Sequence, residues 1–384
     1  MSITSLQQYQ DAGQQLAIDP EIIENATRAI DRIWSVNPEL FPLLTLNHMS
    51  VATGVEYGYL RNVVARQAGR YRQFRMLKRV PGRRNFRVIS IPEKPLMRCQ
   101  KWIADNILRH VRPHRDSHAY HPKSNPIFAA RRHVHAVWLI KVDIQDFFHA
   151  ITEYPVYRVF RSQGYSPLLS LELARICTMP TLAVPASRSY IIEAYDAGFQ
   201  SCLPQGAPTS PMISNLVMRE IDAQLASLAK SVNMRFTRYA DDIVFSCSDK
   251  RDRAAVAQAK AKILKILNLA GFRPNRRKTV VRGPGDRKIV LGMLVDGPRV
   301  RLPKDFKDSL RLQLHYLSNP DFGPTKHAEA KKRAVSTVYN QVLGLIHWAR
   351  AVEPTYGATL LDQFNAIDWP PITRKSYFDQ TEEA

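Results

Sequence analysis

The sequence predicts an α+β protein built as two or three subdomains around a shared cleft, and three observations predict it. Its 384 residues are too many for one simple core. Apolar residues make up 45% of the chain, enough to bury a sizeable interior. Short apolar, strand-like stretches, two of them carrying acidic residues, alternate with longer segments whose apolar residues recur at helical spacing.

Taken in order, residues 20–34 read as a helix, with Ile22, Ile23, Ala26, Ile30 and Ile33 at helical spacing, and residues 51–65 read as a second helical stretch. Residues 61–87 carry ten Lys and Arg and no acidic residue, with Tyr71, Phe74 and Phe86 interleaved. That mixture suits contact with a nucleic-acid strand. A solvated basic face with its aromatics turned inward fits the stretch equally well. Val80-Pro81-Gly82 reads as a turn between two strands, the second over residues 86–91. Residues 94–110 read as an amphipathic helix, and residues 138–144 as a short apolar strand with an acid near its end.

Residues 212–228 read as a helix after a Pro-broken loop. Residues 235–247 read as two strands joined by a tight turn at Ala240-Asp241-Asp242. Residues 253–269 form a helix with Val256, Ala259, Ile263 and Ile266 on one face, and residues 289–294 and 300–302 are strand-like. From residue 304 the chain reads as helices, one holding Leu310, Leu312, Leu314 and Leu317 and the next Val335, Val338, Val342, Leu345 and Trp348.

The formal net charge of +21 and pI of about 10.0 point to a polyanionic partner, nucleic acid first and an anionic membrane surface second, with a merely soluble basic protein as the third reading. Cys99, Cys177, Cys202 and Cys247 are scattered without a C-x-x-C pair, which argues against a zinc ribbon or disulfide framework and fits a reducing cytoplasm. The polar N-terminus lacks a signal-peptide pattern, and no apolar run approaches a membrane span. The expectation is a cytoplasmic protein with no membrane partner.

The chemistry is carried by carboxylates. A strand bearing Asp143 and a hairpin turn bearing Asp241 and Asp242 can place three of them at one point. Like charges so placed repel and raise one another's pKa unless a cation joins them. Mg²⁺ prefers a few carboxylates plus phosphate oxygens. Two such ions can activate a 3′-hydroxyl and stabilise leaving pyrophosphate in an in-line displacement. An aromatic-x-Asp-Asp string can also occur by chance, so it does not stand alone. Asp146, three residues past Asp143, reads as a solvated or structural acid.

Several motifs in order resemble those of reverse transcriptases. Residues 141–148 (KVDIQDFF) resemble the family's first palm motif, residues 203–211 (LPQGAPTSP) its LPQG segment, residues 239–242 (YADD) its catalytic box, and residues 275–279 (NRRKT) its following lysine motif. Residues 87–92 (RVISIP) resemble the fingers strand upstream. The resemblance covers roughly residue 71 to the C-terminus. It implies a right-hand polymerase with an N-terminal helical segment (1–60), fingers (61–136), a palm of antiparallel sheet backed by helices (137–300, with a fingers-like insertion at about 151–200) and a helical thumb (301–384).

The resemblance also assigns roles. Asp143, Asp241 and Asp242 hold two Mg²⁺ ions, with Mn²⁺ able to substitute, helped by the backbone carbonyl of Ile144. Phe148 falls where the family has a steric gate, a ring that rejects a 2′-hydroxyl by a clash. Phe147, its neighbour facing the other way along a strand, is the better core residue. Gln205 and Gly206 suit a close backbone approach to the incoming dNTP. Lys78 and Arg87 are the candidates for the triphosphate clamp. Lys278 neutralises or protonates the leaving pyrophosphate, or contacts the template backbone. Arg72, Arg75, Arg79, Arg83 and Arg84, with Arg131, Arg132 and His133, form the candidate RNA-binding set.

No cysteine- and histidine-rich endonuclease tail or ribonuclease H-like segment follows the thumb, so the chain looks most like compact bacterial retron-type enzymes and their defence-associated relatives. Two strings depart from the retron pattern. Residues 129–133 (AARRH) have the His but not the Asn of Asn-Ala-x-x-His, and residues 290–292 (VLG) lack the Thr of Val-Thr-Gly. The reading is an RNA-directed DNA polymerase that copies a structured RNA template and primer into an RNA–DNA hybrid, with a role in anti-phage defence and a separate effector protein as a possible partner. The alternatives are a non-templated or group II intron-derived polymerase, and an RNA-binding scaffold whose site is a relic.

Overall fold

The structure is a computed structural model that describes residues 5–68, 71–80, 83–122, 124–182 and 199–371. The chain divides into two compact units. One comprises residues 1–125, 141–244 and 253–280, and the other residues 126–140, 245–252 and 281–384. The α+β character expected from the sequence is present: among the described residues there are a four-stranded sheet and three two-stranded ribbons beside the helices.

The first unit opens with helices α1 (Leu6–Gln15), α2 (Pro20–Val36), α3 (Leu46–Thr53) and α4 (Tyr57–Val64). The Asp19 side chain accepts the Glu21 N–H at 2.8 Å to cap α2, with Pro20 in its first turn. The single helical stretch expected over residues 51–65 is two helices, because Gly54 ends α3 in the left-handed region at φ +64°.

Strands β1 (Tyr71–Val80) and β2 (Arg83–Pro92) form an antiparallel ribbon in register from Tyr71↔Pro92 to Val80↔Arg83. The Pro81-Gly82 turn and the side chains of Lys78, Arg79, Arg83 and Arg84 lie outside the described residues. Helix α5 (Lys94–Asn106) and a 3₁₀ turn (Leu108–His110) follow, then, after the second unit's α6 (Pro126–Arg131), strand β3 (Trp138–Asp143). Next come α7 (Glu153–Arg161), α8 (Pro167–Cys177) and the β4 (Met179–Leu182) and β5 (Phe199–Cys202) ribbon. Much of the expected insertion at 151–200, residues 183–198, lies outside the described residues.

Helices α9 (Ser210–Val217) and α10 (Arg219–Ser231) replace the single helix expected over residues 212–228. They lead into strands β6 (Arg235–Tyr239) and β7 (Asp242–Cys247), helix α11 (Arg253–Leu269) and strand β8 (Val280–Arg282). The four-stranded sheet has the order β6-β7-β3-β8, so the hairpin lies beside β3 although about a hundred residues of chain separate them. β3 is buried except for half-buried Lys141, and β7 is buried beyond Asp242, which is why both read as apolar runs.

The second unit continues with a small ribbon of β9 (Ile289–Val290) and β10 (Met293–Leu294). Both of its loop residues, Leu291 (φ +48°) and Gly292 (φ +82°), are left-handed, as a two-residue hairpin with positive φ at both central positions requires. Residues 300–302 form no strand of their own and contribute one bridge, Leu294↔Arg301. Helices α12 (Lys304–Ser318), α13 (Gly323–Ala330), α14 (Val335–Val352) and α15 (Pro354–Asn365) complete the unit. They pack through Leu310, Leu314, Val338, Val342, Ile346, Leu360 and Phe364, all buried. Among the described residues, no helix is long and apolar enough to cross a membrane.

Candidate active site

β3 carries Lys141 and Asp143 on one face, since they are two residues apart on a strand. Asp143 is its last residue and is buried. The β6–β7 hairpin brings Asp241 to the same point by backbone contact: the Ile144 N–H donates to the Asp241 carbonyl at 3.2 Å. The turn has two residues, Ala240 and Asp241, and Ala240 takes φ +55°, a conformation costly by about 1–2 kcal/mol for a residue with a Cβ.

A third segment closes the site. After α11 the chain pairs antiparallel with the end of β3: the Gln145 N–H donates to the Arg273 carbonyl at 2.8 Å and the Asn275 N–H to the Asp143 carbonyl at 2.7 Å. A turn then forms, with the N–H groups of Lys278 and Thr279 donating to the Asn275 carbonyl. It returns Lys278 so that its Nζ donates to Asp143 Oδ1 at 2.8 Å. Lys141 Nζ likewise donates to Asp242 Oδ2 at 2.9 Å. The Lys278 ammonium was expected to meet pyrophosphate or template; in this structure it meets a carboxylate.

Asp241 has no ion-pair partner among the described residues. Burial raises its pKa above the ordinary carboxylate value, and repulsion from Asp143 and Asp242 raises it further against the pull of Lys278. Asp143 and Asp242 therefore sit close enough to Asp241 to oppose its ionisation. Among the described residues, no three Asp, Glu, His or Cys side chains already stand as a coordination cluster. The fit to a metal is one of charge and donor type: carboxylate oxygens, two paired with lysine ammonium groups and one whose pKa is raised by burial and by its acidic neighbours, suit a hard divalent cation.

Phe148 is half-buried, and its ring lies 6.3 Å from that of Tyr120 and 5.5 Å from that of Phe147. Phe147 is 5% exposed and packs at 6.0 Å on Phe272, so it is the core residue of the two. The physical reason differs from the expected strand alternation. β3 ends at Asp143, and residues 146–151 form turns, with Asp146 at φ +47° and exposed, and with the Ala150 N–H donating to the Asp146 carbonyl.

Gly206 takes φ +124°, and a Cβ there would stand 2.9 Å from Ile89 Cγ2 and 3.0 Å from the Ser90 carbonyl oxygen. The close approach that Gly206 permits is thus to β2, where the Ser90 N–H also donates to the Gln205 carbonyl at 2.7 Å. Half-buried Gln205 and exposed Gly206 lie at this junction of the LPQG loop with β2. Arg87 is exposed on β2, and its charge is felt at Tyr120, together with those of Asp241 and Arg238.

Arg72 and Arg75 are exposed on β1, next to exposed Phe74, Met76 and Leu77. Arg131 and Arg132 are exposed in the second unit, with the Arg131 guanidinium 5.7 Å from the Phe128 ring centroid. His133 corrects the sequence reading. It is fully buried, with Nδ1 at 2.7 Å from Ser246 Oγ, and so is a core histidine and not an RNA contact. Four residues were missed: Lys141, which pairs with Asp242; Arg238, which donates to the Ala240 carbonyl; its partner Asp222; and Tyr120, against Phe148. Lys141 had a signal, a lone charge two residues before Asp143 in an apolar strand.

Acids at a strand end and a facing hairpin turn, on an antiparallel sheet among helices, are the arrangement of a right-hand nucleic-acid polymerase. The chain belongs to the reverse transcriptase family: the model of the family described as reverse transcriptase (RNA-dependent DNA polymerase) matches residues 77–294. It is an RNA-directed DNA polymerase, and the relatives it is similar to are retron enzymes. It is 28% identical over 272 residues to the retron Ec86 reverse transcriptase of Escherichia coli, a match covering 71% of this chain and 78% of that one. It is 28% identical over 294 residues to the retron Mx162 reverse transcriptase of Myxococcus xanthus, covering 73% of this chain but only 58% of the relative. A telomerase structure from Candida albicans is similar at a TM-score of 0.41 and 13% identity, over 78% of this chain and 64% of that one.

Proposed function

We propose that the chain is a retron-type reverse transcriptase that copies a structured RNA, serving as template and primer, into DNA from dNTPs, giving an RNA–DNA hybrid. Asp143, Asp241 and Asp242, with the Ile144 carbonyl, hold two Mg²⁺ ions, for which Mn²⁺ can substitute. Bound there, the ions supply the activation of a 3′-hydroxyl and the stabilisation of leaving pyrophosphate. The observation that carries this reading is the convergence of Asp143 and Asp241, registered by the Ile144–Asp241 backbone hydrogen bond and by the repulsion of Asp143 on Asp241.

The chain's own residues do the rest. Phe148 lies beneath the incoming sugar. Lys78 and Arg87 serve as the triphosphate clamp. Arg72, Arg75, Arg79, Arg83 and Arg84 on the ribbon, with Arg131 and Arg132, bind RNA backbone, and shape supplies most of the selectivity. In this reading residues 1–60 are the N-terminal helical segment, 61–136 the fingers, 137–300 the palm and 301–384 the thumb. The enzyme works in the bacterial cytoplasm, and anti-phage defence with a separate effector protein is its proposed setting, by likeness to the retron enzymes.

Primer extension on an RNA template with dNTPs tests the reading. Wild-type chain should extend the primer. Asp143→Ala should abolish extension while RNA binding survives, because it removes a metal ligand and not a phosphate contact. Normal extension by Asp143→Ala, or none by wild type, would overturn it.

A further inference from the structure

A buried cluster beside the catalytic hairpin has no part in the scheme above. Arg238 lies on β6, two residues before Ala240, and neither it nor Asp222 of α10 has any exposure. Arg238 Nε donates to Asp222 Oδ1 at 2.7 Å and Nη2 to Oδ2 at 2.6 Å, a bidentate pair. Nη1 donates to Asn215 Oδ1 and to the Ala240 carbonyl, each at 3.0 Å, and Nη2 also donates to Ser117 Oγ at 3.1 Å. All five guanidinium N–H donors are thereby used.

Two of these contacts lead to the reacting groups. The Ala240 carbonyl belongs to the turn that presents Asp241. Ser117 and Asn215 belong to a second path: Ser117 Oγ donates to Asn215 Oδ1 at 3.0 Å, and Asn215 Nδ2 donates to the Ala119 carbonyl at 2.6 Å. The Arg238 backbone holds the same segment, its N–H donating to the Asp116 carbonyl at 2.8 Å and its carbonyl accepting the His118 N–H at 2.9 Å. That segment ends at Tyr120, at φ +64°, whose ring stands against Phe148.

We propose that Arg238 is a positioning residue for nucleotide incorporation, fixing the Asp241 turn and the Tyr120–Phe148 ring pair in one register. The role rests on the polymerase reading of the site. Stability alone does not call for this pair, because a buried ion pair can often be exchanged for apolar residues of similar volume without loss. What an apolar pair cannot supply is the fork of donors that reaches Ala240, Asn215 and Ser117 at once. Lysine, a compact charge with three donors, cannot span them either.

The test compares wild type, Arg238→Lys and the double variant Arg238→Met with Asp222→Leu, each as the full chain. It measures melting and steady-state incorporation of dGTP and GTP on an RNA template. The double variant should melt near wild type, since it leaves no unpaired buried charge. Its kcat for dGTP should fall on the order of 10²-fold, as expected for displaced catalytic groups. KM should move far less, and the dGTP-over-GTP preference should shrink. Wild-type kcat and sugar preference in a double variant that melts normally would overturn the proposal. Should the double variant fail to fold, Arg238→Lys decides below its melting point: a loss confined to kcat and sugar preference supports the role, and wild-type values for both overturn it. A wild-type chain that extends no primer overturns the polymerase reading, and this role with it.

Discussion

Lys278 Nζ donates to Asp143 Oδ1 at 2.8 Å, so the lysine motif that follows the catalytic box folds back onto the first acid of the site. The Lys278 side chain is more than half exposed, while that of Asp143 is buried. An exposed ammonium can leave at little cost, whereas a buried carboxylate stripped of its partner is destabilised. Lys278 therefore holds in place a charge that a divalent cation would also neutralise. Lys278→Met should lower the stability of metal-free protein by about 1 kcal/mol. Added Mg²⁺ should close most of the gap to wild type. Thermal melts of both proteins, in chelator and in Mg²⁺, check this. A gap of unchanged size in Mg²⁺ would show that Lys278 and the metal do not share a task.

Asp241 sets the pH dependence of the metal-free protein. Burial first, then Asp143 and Asp242, raise its folded pKa above the unfolded value. The folded state thus binds the proton more tightly than the unfolded state. Stability from this group is full below the unfolded pKa and is lost as pH rises through the folded one. Above that folded pKa the metal-free protein carries the whole penalty. Asp241→Asn keeps the shape and removes the charge, so it should raise the neutral-pH melting temperature in chelator by a few degrees while abolishing DNA synthesis. The gain should vanish at low pH. A variant that melts below wild type at neutral pH without metal would contradict the assignment of repulsion.

The basic ribbon governs salt dependence. Arg72 and Arg75 are exposed on β1 beside exposed apolar side chains, a surface suited to a nucleic-acid strand. RNA affinity should fall steeply with salt. The double variant Arg72→Ala with Arg75→Ala should reduce the slope of log K against log salt by about 0.7–0.9 per residue if both meet phosphates. His133→Ala is the contrasting case. Its ring is buried against Ser246, so the variant should melt lower and keep the wild-type slope. Filter binding across a salt series separates the two.

How much of this was legible beforehand follows from what each signal encodes. Asp143 and the Asp241 turn were readable because a strand end and a tight hairpin leave periodicity and turn residues in the local sequence. Phe147 was readable as core, though for the wrong reason, since alternation along a strand does not apply to the turns after Asp143. Gly206 was marked as a close approach, but only the fold shows that β2 is what it approaches. His133 looked like surface because it follows two arginines; its partner Ser246 lies more than a hundred residues away. Arg238 was invisible for the same reason. An arginine in a strand reads as exposed unless Asp222, Asn215 and Ser117 are known to surround it. Long-range partners decide burial of polar groups, and one sequence does not list them.

Phe148 yields the sharpest prediction because it names one side chain and one discriminated atom. The ring is half-buried and stands against Tyr120, while Phe147 takes the packed interior on Phe272. If the Phe148 ring occupies the space that a 2′-hydroxyl needs, shrinking it to Val or Ala should admit ribonucleotides. Discrimination by a clash disappears with the clashing atoms, whereas loss of a hydrogen bond would weaken the correct substrate instead. Incorporation of dGTP should fall moderately and that of GTP should rise, so the preference collapses from the GTP side. A packed phenylalanine behaves differently: its loss costs roughly 3–5 kcal/mol and lowers stability and both activities together. Phe147→Ala should show that second pattern and serves as the internal standard. The measurement is steady-state incorporation of dGTP and GTP by both variants, with a melting curve for each. If Phe148→Ala melts as low as Phe147→Ala and keeps the wild-type sugar preference, the ring is part of the core and the gate lies elsewhere.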